Sequence, residues 1–531
     1  MARFVSWLNL VAVFPLALAC SGDDGGGDGG TAADTGSGGG TASSSADDAP
    51  LPPDLPVPKE PVTTVFESLV PFDANREDLA GPGSWDTNYG KSPEIVVVPQ
   101  GLGMAVYAQN YDTTGEQKSI LLRIEPSVDD YVITGVVEPP FLDRIMGMDH
   151  DGGDNIYVAS GIIDSEIDAT YPALNEYRPG IVSVVATNWD GEVNFEVDLD
   201  PAREAFDQPE LLVNPMVAAT SRLVYGASTV ALLHGNNTDP DEALDGARHQ
   251  KAMTTHLHAV TGAITRSSSM WVSHSFDQRM FYDGSGFIEM HLGDAYPRYV
   301  AFGSVGPGNP AADSGAVPLF HIKGALGENV TRTEIGDVAR IGGSGEFGYL
   351  AVFIAERTAS EADLGPAQAN IAGTRELAMV RIKQSFASTG DDELNHLDAS
   401  MPDTLDVSSS GMPRTNRLRW LTNYDAEGAG TAMVERAKVV ATADDEFIVM
   451  WERHEFNGSG YVFAGTHAMT LNAAGEVAAG PQEVSQSRLP RGDDAFLLEG
   501  GAAFMTGDSQ LRELQLHLIA PDLTTRLIVI Q

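Results

Sequence analysis

The chain has 531 residues, 42% of them hydrophobic, with 32 Lys+Arg against 75 Asp+Glu and a formal net charge of −43. A chain of this length can bury a large core without covalent staples, and its single cysteine excludes a disulfide framework and any cysteine-built zinc or iron–sulfur centre. So acidic a chain is also unsuited to nucleic acid or an anionic bilayer face, both of which recruit Lys and Arg.

Arg3 precedes a mostly apolar run from Phe4 to Ala19, interrupted by Pro15, and Cys20 stands where the run stops. The run is too short for a stable membrane span and has the anatomy of a cleaved export signal over residues 1–19. The competing reading, a buried first helix, would join Phe4, Trp7 and Leu10 directly to a polar tract. Ala17, Leu18, Ala19 and Cys20 resemble the lipobox of bacterial lipoproteins. That resemblance implies cleavage before Cys20, diacylation of its thiol and acylation of the new amino terminus. Three acyl chains would anchor firmly, because burial contributes about 0.8 kcal/mol per methylene and a single myristoyl chain binds only marginally. In such proteins Asp after the cysteine favours inner-membrane retention, so Ser21 implies the outer membrane of a Gram-negative bacterium.

Residues 20–61 hold the modified cysteine and a Gly/Asp tract, then a Ser/Thr/Gly tract, then Pro50, Pro52, Pro53, Pro56 and Pro58. The first tracts are too polar to bury a core, and the prolines stiffen the approach to the next domain. The segment reads as a spacer, and resembles that of lipoproteins from predatory and gliding Gram-negative bacteria. Most of the acidic residues lie beyond it. Dispersed acids are read as a solvated surface before they are read as cation sites, since a site needs convergence.

From about residue 90 onward, short apolar runs alternate with Gly/Asp turns, and no long helical period appears. One pattern recurs: strand, tight turn, strand. It spans 94–107, 145–158, 279–290, 339–353, 439–451 and 501–511, with a weaker copy at 215–225. Most starts lie about 50–70 residues apart, the scale of a four-stranded blade with loop insertions. A second hairpin at 180–195, turning at Asp190-Gly191, supplies an outer strand pair. Isolated four-stranded sheets have two greasy faces, which radial stacking buries. The expected fold is therefore all-β, a single propeller over 62–531 with six to eight blades, seven being the expected count. Tandem β-sandwiches are the alternative. The last run, 523–530, is expected to close the ring by pairing with 62–66.

Histidine carries the sharpest chemical signal. His249, His256, His258, His274 and His291 fall in one stretch with Asp277, Asp283 and Asp294. His256 and His258 alternate, so on a strand both imidazoles share a face and can reach one ion. The candidate metal site is His256, His258, His274 and Asp294, with zinc or copper the divalent transition metal suited to imidazole. The competing reading is that these residues close hydrogen bonds between blades. Asp149, Asp151 and Asp154 look like a calcium loop, but Asp154 stands where an EF-hand needs glycine and the segment occupies a hairpin turn. Arg491-Gly492-Asp493 matches an integrin-type tripeptide of chance length. No nucleophile elbow, P-loop or zinc-protease motif is present.

Two functional expectations follow. One is a lipid-anchored cell-envelope binding or scaffold protein that presents a propeller face to a protein, peptide or glycan. The other is a metal-dependent extracytoplasmic enzyme (hydrolase, lyase or oxidase) using the histidine cluster at the propeller mouth. Fold alone does not choose between them.

Overall fold

The computed structural model describes residues 61–62, 65–71, 95–112, 117–128, 130–138, 144–163, 180–199, 211–213, 221–238, 250–268, 275–293, 299–307, 316–321, 333–343, 345–357, 374–388, 395–406, 415–428, 430–443 and 446–531. Cys20, His274 and Asp294 lie outside them, as do the signal and nearly all of the spacer. Among the described residues no helix is long and apolar enough to cross a membrane.

The strands form seven antiparallel sheets in chain order, at residues 95–137, 144–198, 222–268, 275–321, 334–420, 432–485 and 496–530. Each is a blade, numbered one to seven, whose strands a to d run outward from the axis. The inner strands are Ile95–Gln100, Arg144–His150, Arg222–Gly226, Ser275–Tyr282, Glu334–Arg340, Ala432–Ala443 and Phe496–Leu498. Each lies beside the next, and the seventh lies beside the first, which closes the ring. The fold is a seven-bladed β-propeller.

The sequence dictates this stacking through strands that are apolar on both faces. In Gly103–Asp112, Met104, Val106 and Ala108 pack toward blade seven, while Ala105 and Tyr107 pack toward blade two. A period of two then sorts one greasy run into two separate cores. Seven clusters of buried apolar side chains result, one between each pair of neighbouring blades.

Ring closure differs from the expectation. Thr525–Ile530 pairs with Glu513–Ile519 inside its own blade. Val65–Ser68 is a helical turn, with Val65 and Phe66 packed into the core between blades seven and one. Val62 N–H donates to Ile133 O on the outer strand of blade one. Blade seven needs no strand from the amino-terminal side because Phe496–Leu498 already supplies its inner strand. For the same reason the repeat at 501–511 is strand b and the turn after it, not strands a and b.

Strands a to d of each blade form an antiparallel up-and-down set, to which blade one adds Leu69–Pro71 and blade three Leu211–Val213 beside strand b, and blade five adds Asp403–Asp406 outside strand d. Each b-to-c connection and the d-to-a connection that follows therefore start on one face of the ring, and the a-to-b and c-to-d connections on the other. The a-to-b turns are all tight, such as 101–102, 227–228 and 499–500. The strand ends on the first face are joined by the longer stretches 164–179, 199–221 (which includes the paired strand Leu211–Val213), 239–249, 322–333, 357–374 and 421–431. Strand ends on the second face are joined by two longer stretches, 306–316 and 384–414, the latter including the outer strand Asp403–Asp406 of blade five.

Candidate functional site

The inner strands carry charge where they approach the axis. Arg279 donates to Asp277 Oδ1 at 2.5 Å and to Asp337 Oδ1 at 2.9 Å, linking blade four to blade five. Lys438 of blade six donates to Asp493 O and lies 3.9 Å from Asp337. Asp493 and Asp494 end a segment, 488–494, that enters the hub before strand a of blade seven. From there Asp494 accepts a bidentate pair from Arg222 of blade three, at 2.6 and 2.9 Å, and Asp493 Oδ2 accepts Val97 N–H of blade one at 3.0 Å.

A second tier is built from the start of strand a, the end of strand b and the start of strand c. Arg375 donates to Glu334 at 2.7 Å and to Glu435 at 3.3 Å. Glu452 accepts from Arg488 at 3.0 and 3.2 Å, from Leu489 N–H at 2.9 Å and from His454 Nε2 at 2.9 Å. Arg491 reaches Glu435 at 3.4 Å, and Arg436 donates to Leu489 O at 2.6 Å. The tripeptide at 491–493 is therefore buried in the hub and is not displayed.

Charges out of water are tolerated only when paired and hydrogen-bonded. The two tiers come close to balance: Arg222, Arg279, Arg375, Arg436, Lys438, Arg488 and Arg491 face Asp277, Glu334, Asp337, Glu435, Glu452 and Asp494, with the Asp493 carboxyl beside them. Burial opposes ionisation of Glu452 and Asp494, yet Arg436 and Arg488 around the first, and Arg222 against the second, hold both carboxyls well below the usual range. Asp493 goes the other way. Burial, reinforced by the neighbouring Asp494 charge, pushes it up to about 8. Burial likewise pushes Asp337 up to about 6, against the pull of Lys438.

Glu435, Glu452 and His454 place ligand-type atoms within 4.8 Å of one another, the one such grouping among the described residues. Their donor set does not fit a cation, because Arg375, Arg488 and Arg491 already occupy the carboxylates and His454 Nε2 is turned to Glu452. The group is part of the ion-pair hub.

The histidines singled out from the sequence occupy different surroundings. His256 is buried with its ring edge-on to Phe287 of blade four, centroids 5.4 Å apart. His258 is exposed at the strand end, and its Nδ1 accepts Val260 N–H at 3.3 Å. The ladder between Gln250–His258 and Ile264–Ser268 shifts register between His256 and Leu257. His291 Nε2 lies 3.1 Å from Glu289, and Asp277 belongs to the hub. Asp283 caps its own turn through Ser285 and Gly286 N–H and accepts Tyr349 O–H at 2.6 Å.

Asp149 accepts His150 N–H at 2.8 Å and Tyr225 N–H of blade three at 2.7 Å, and burial pushes it up to about 6. Asp151 accepts Gly153 N–H and the Asn155 amide inside the turn, while Asp154 is exposed. No grouping of metal ligands forms among these three. The hub itself had a sequence signal, namely Arg436 and Lys438 inside an apolar strand of a lysine-poor chain.

No protein-family model matches the chain, and no curated protein matches it. Among solved structures it is similar to the β-propeller domain of the Trilobed protease from Pyrococcus furiosus, at 7% identity over 80% of this chain and 93% of that one, TM-score 0.36. A putative 6-phosphogluconolactonase from Bacteroides uniformis is 11% identical over 81% of this chain and 98% of that one, TM-score 0.39. Trypanosoma rangeli sialidase is 12% identical over 77% and 57%, TM-score 0.35. The fold assignment rests on the seven sheets and their closed ring of inner strands.

Proposed function

We propose that this protein is a binding or scaffold protein of the cell envelope, held by lipid on Cys20 and presenting to its ligand the propeller face that bears the long connections. The supporting observation is the asymmetry of the ring. All seven a-to-b stretches are short, while the longer stretches 164–179, 239–249, 322–333 and 357–374 join strand ends on the other face. Residues that recognise ligands concentrate on loops carried by a rigid scaffold, and the ion-paired hub supplies that rigidity at the centre.

Photo-crosslinking in the native host tests the face. A benzophenone side chain at Ala243 or Ala367, both in long connections, is expected to yield discrete adducts with protein or with isolated peptidoglycan sacculi. The same probe at Asp154 or Ala474, in turns of the opposite face, is expected to yield none. Equal adducts from both faces would overturn the reading. Metabolic labelling with an alkynyl fatty acid tests the anchor: the native chain should label, and a Cys20→Ala protein that still labels refutes it.

A further inference from the structure

The seven seams between blades are unequal. Between blades seven and one, the apolar cluster runs from Val65 and Phe66 through Ile95 and Met104 to Ile528 and Ile530. Between blades three and four, the described residues supply four buried apolar side chains: Ala231, Leu233, Met280 and Phe287. Val224 and Tyr282 pack against these four while partly exposed, and the seam also holds polar contacts. Thr254 donates to Glu289, and His256 lies against Phe287. Apolar area is what resists separation of two packed sheets, and among the described residues this seam has the smallest buried apolar cluster.

At the inner edge of the same seam stand two guanidiniums, Arg222 on blade three and Arg279 on blade four. Arg279 has carboxylates on its own and the next blade, in Asp277 and Asp337. The carboxylate paired with Arg222 is Asp494, whose Oδ1 also lies 3.4 Å from Arg279 Nε. One carboxylate thus bridges the two blades, and it comes from neither of them. It is carried across the axis by the segment that leads into blade seven.

We propose that Asp494 is a latch, delivered from blade seven, that holds shut the seam between blades three and four, and that this seam is where the ring opens. Without the latch, two like charges face each other across the interface with the smallest apolar core. Local opening then falls to a lower free energy there than elsewhere.

Native-state hydrogen exchange on the full chain reads this directly. In Asp494→Asn, amides of Thr229–Thr238, Gln250–His258 and Phe287–Gly293 are expected to exchange about tenfold faster or more. Amides of Gly103–Asp112 and Glu513–Ile519, at the blade seven and one seam, are expected to change less than about twofold. Arg222→Gln, which removes one charge of the facing pair, is the second variant should the first fold poorly. It is expected to accelerate the same amides, and the double variant should add little to the larger single effect. Even acceleration across all blades, or acceleration led by the blade seven and one seam, would overturn the latch.

Discussion

Glu452 and Asp493 are both buried hub carboxyls, and their surroundings push them in opposite directions: cations hold Glu452 well below the usual range, while burial and the Asp494 charge push Asp493 up to about 8. Glu452 is ionised, accepts from Arg488, Leu489 and His454, and lies 3.6 Å from the Arg436 guanidinium. Glu452→Gln removes the charge and turns half of the acceptor set into an NH2 donor facing donors. Breaking a buried pair in this way costs about 3–5 kcal/mol. The folded unit, Pro58–Gln531, has an unfolding entropy of roughly 1 kcal/mol/K by size, so the melting temperature should fall by about 3–5 °C.

Asp493, pushed up to about 8, is neutral at pH 6, and Asn reproduces a neutral side chain that still accepts Val97 N–H. Asp493→Asn should therefore cost under about 1 kcal/mol at pH 6. The pH dependence has a definite sign. Between about pH 4 and 8 the folded state binds this proton and the unfolded state does not, so its contribution to stability falls as pH rises and is gone above 8. Asn has nothing to lose in that window. Melting followed by tryptophan fluorescence from pH 5 to 9 should show the variant level with or above the native protein by pH 9. If Asp493→Asn costs as much as Glu452→Gln at pH 6, Asp493 is ionised and this account of the hub fails.

Trp451 is fully buried between blades five and six, and its Nε1 donates to Tyr424 O–H at 2.9 Å, so Trp451→Phe should cost about 1–3 kcal/mol, seen as a melting point about 1–3 °C lower. A Cβ on Gly226 would stand 2.3 Å from the Tyr282 ring of blade four, so Gly226→Ala should cost about 1–3 kcal/mol, read as a fall in denaturation midpoint. His517 lies flat on Phe504, ring centroids 4.4 Å apart, and burial pulls it down to about 4. The unfolded state then binds the extra proton between about pH 4 and 6.5, so stability should decline by about 1–3 kcal/mol as pH falls through that window. His517→Phe should flatten that part of the stability–pH curve in chemical denaturation.

Much of the fold was legible because a blade writes itself locally. The hairpins at 145–158 and 180–195 join apolar strands through Asp, Asn and Gly turns, and side chains such as Asp151 and Asn188 bond their own turn backbones. What failed was phase and closure. Phe496–Leu498 is only three residues long and follows a charged segment, so nothing in its pattern marks an inner strand. Missing it shifted the last repeat by one strand and left the terminal run seeking a partner at 62–66. The pairing within the hub was illegible for a different reason. Arg222 and Asp494 are 272 residues apart in the chain, and only the closed ring brings them within hydrogen-bond distance. In the histidine stretch, alternation says nothing of depth: His256 is enclosed while His258 reaches solvent, and His274 and Asp294 lie outside the described residues.

The hub takes seven of the chain's 32 Lys+Arg side chains and an equal number of its 75 Asp+Glu. A buried network must be close to neutral, since an unmatched charge in low dielectric costs several kcal/mol. The excess of acid is therefore carried outside the hub, where water and salt screen mutual repulsion. Its field is felt by whatever approaches the ring. A cationic ligand is drawn toward the protein and an anionic one held off, most strongly at low ionic strength. The same partition explains why cations were more informative than acids. In so acidic a chain a carboxylate marks little, whereas an arginine or lysine within an apolar inner strand, as at Arg279, Arg436 and Lys438, marks the axis.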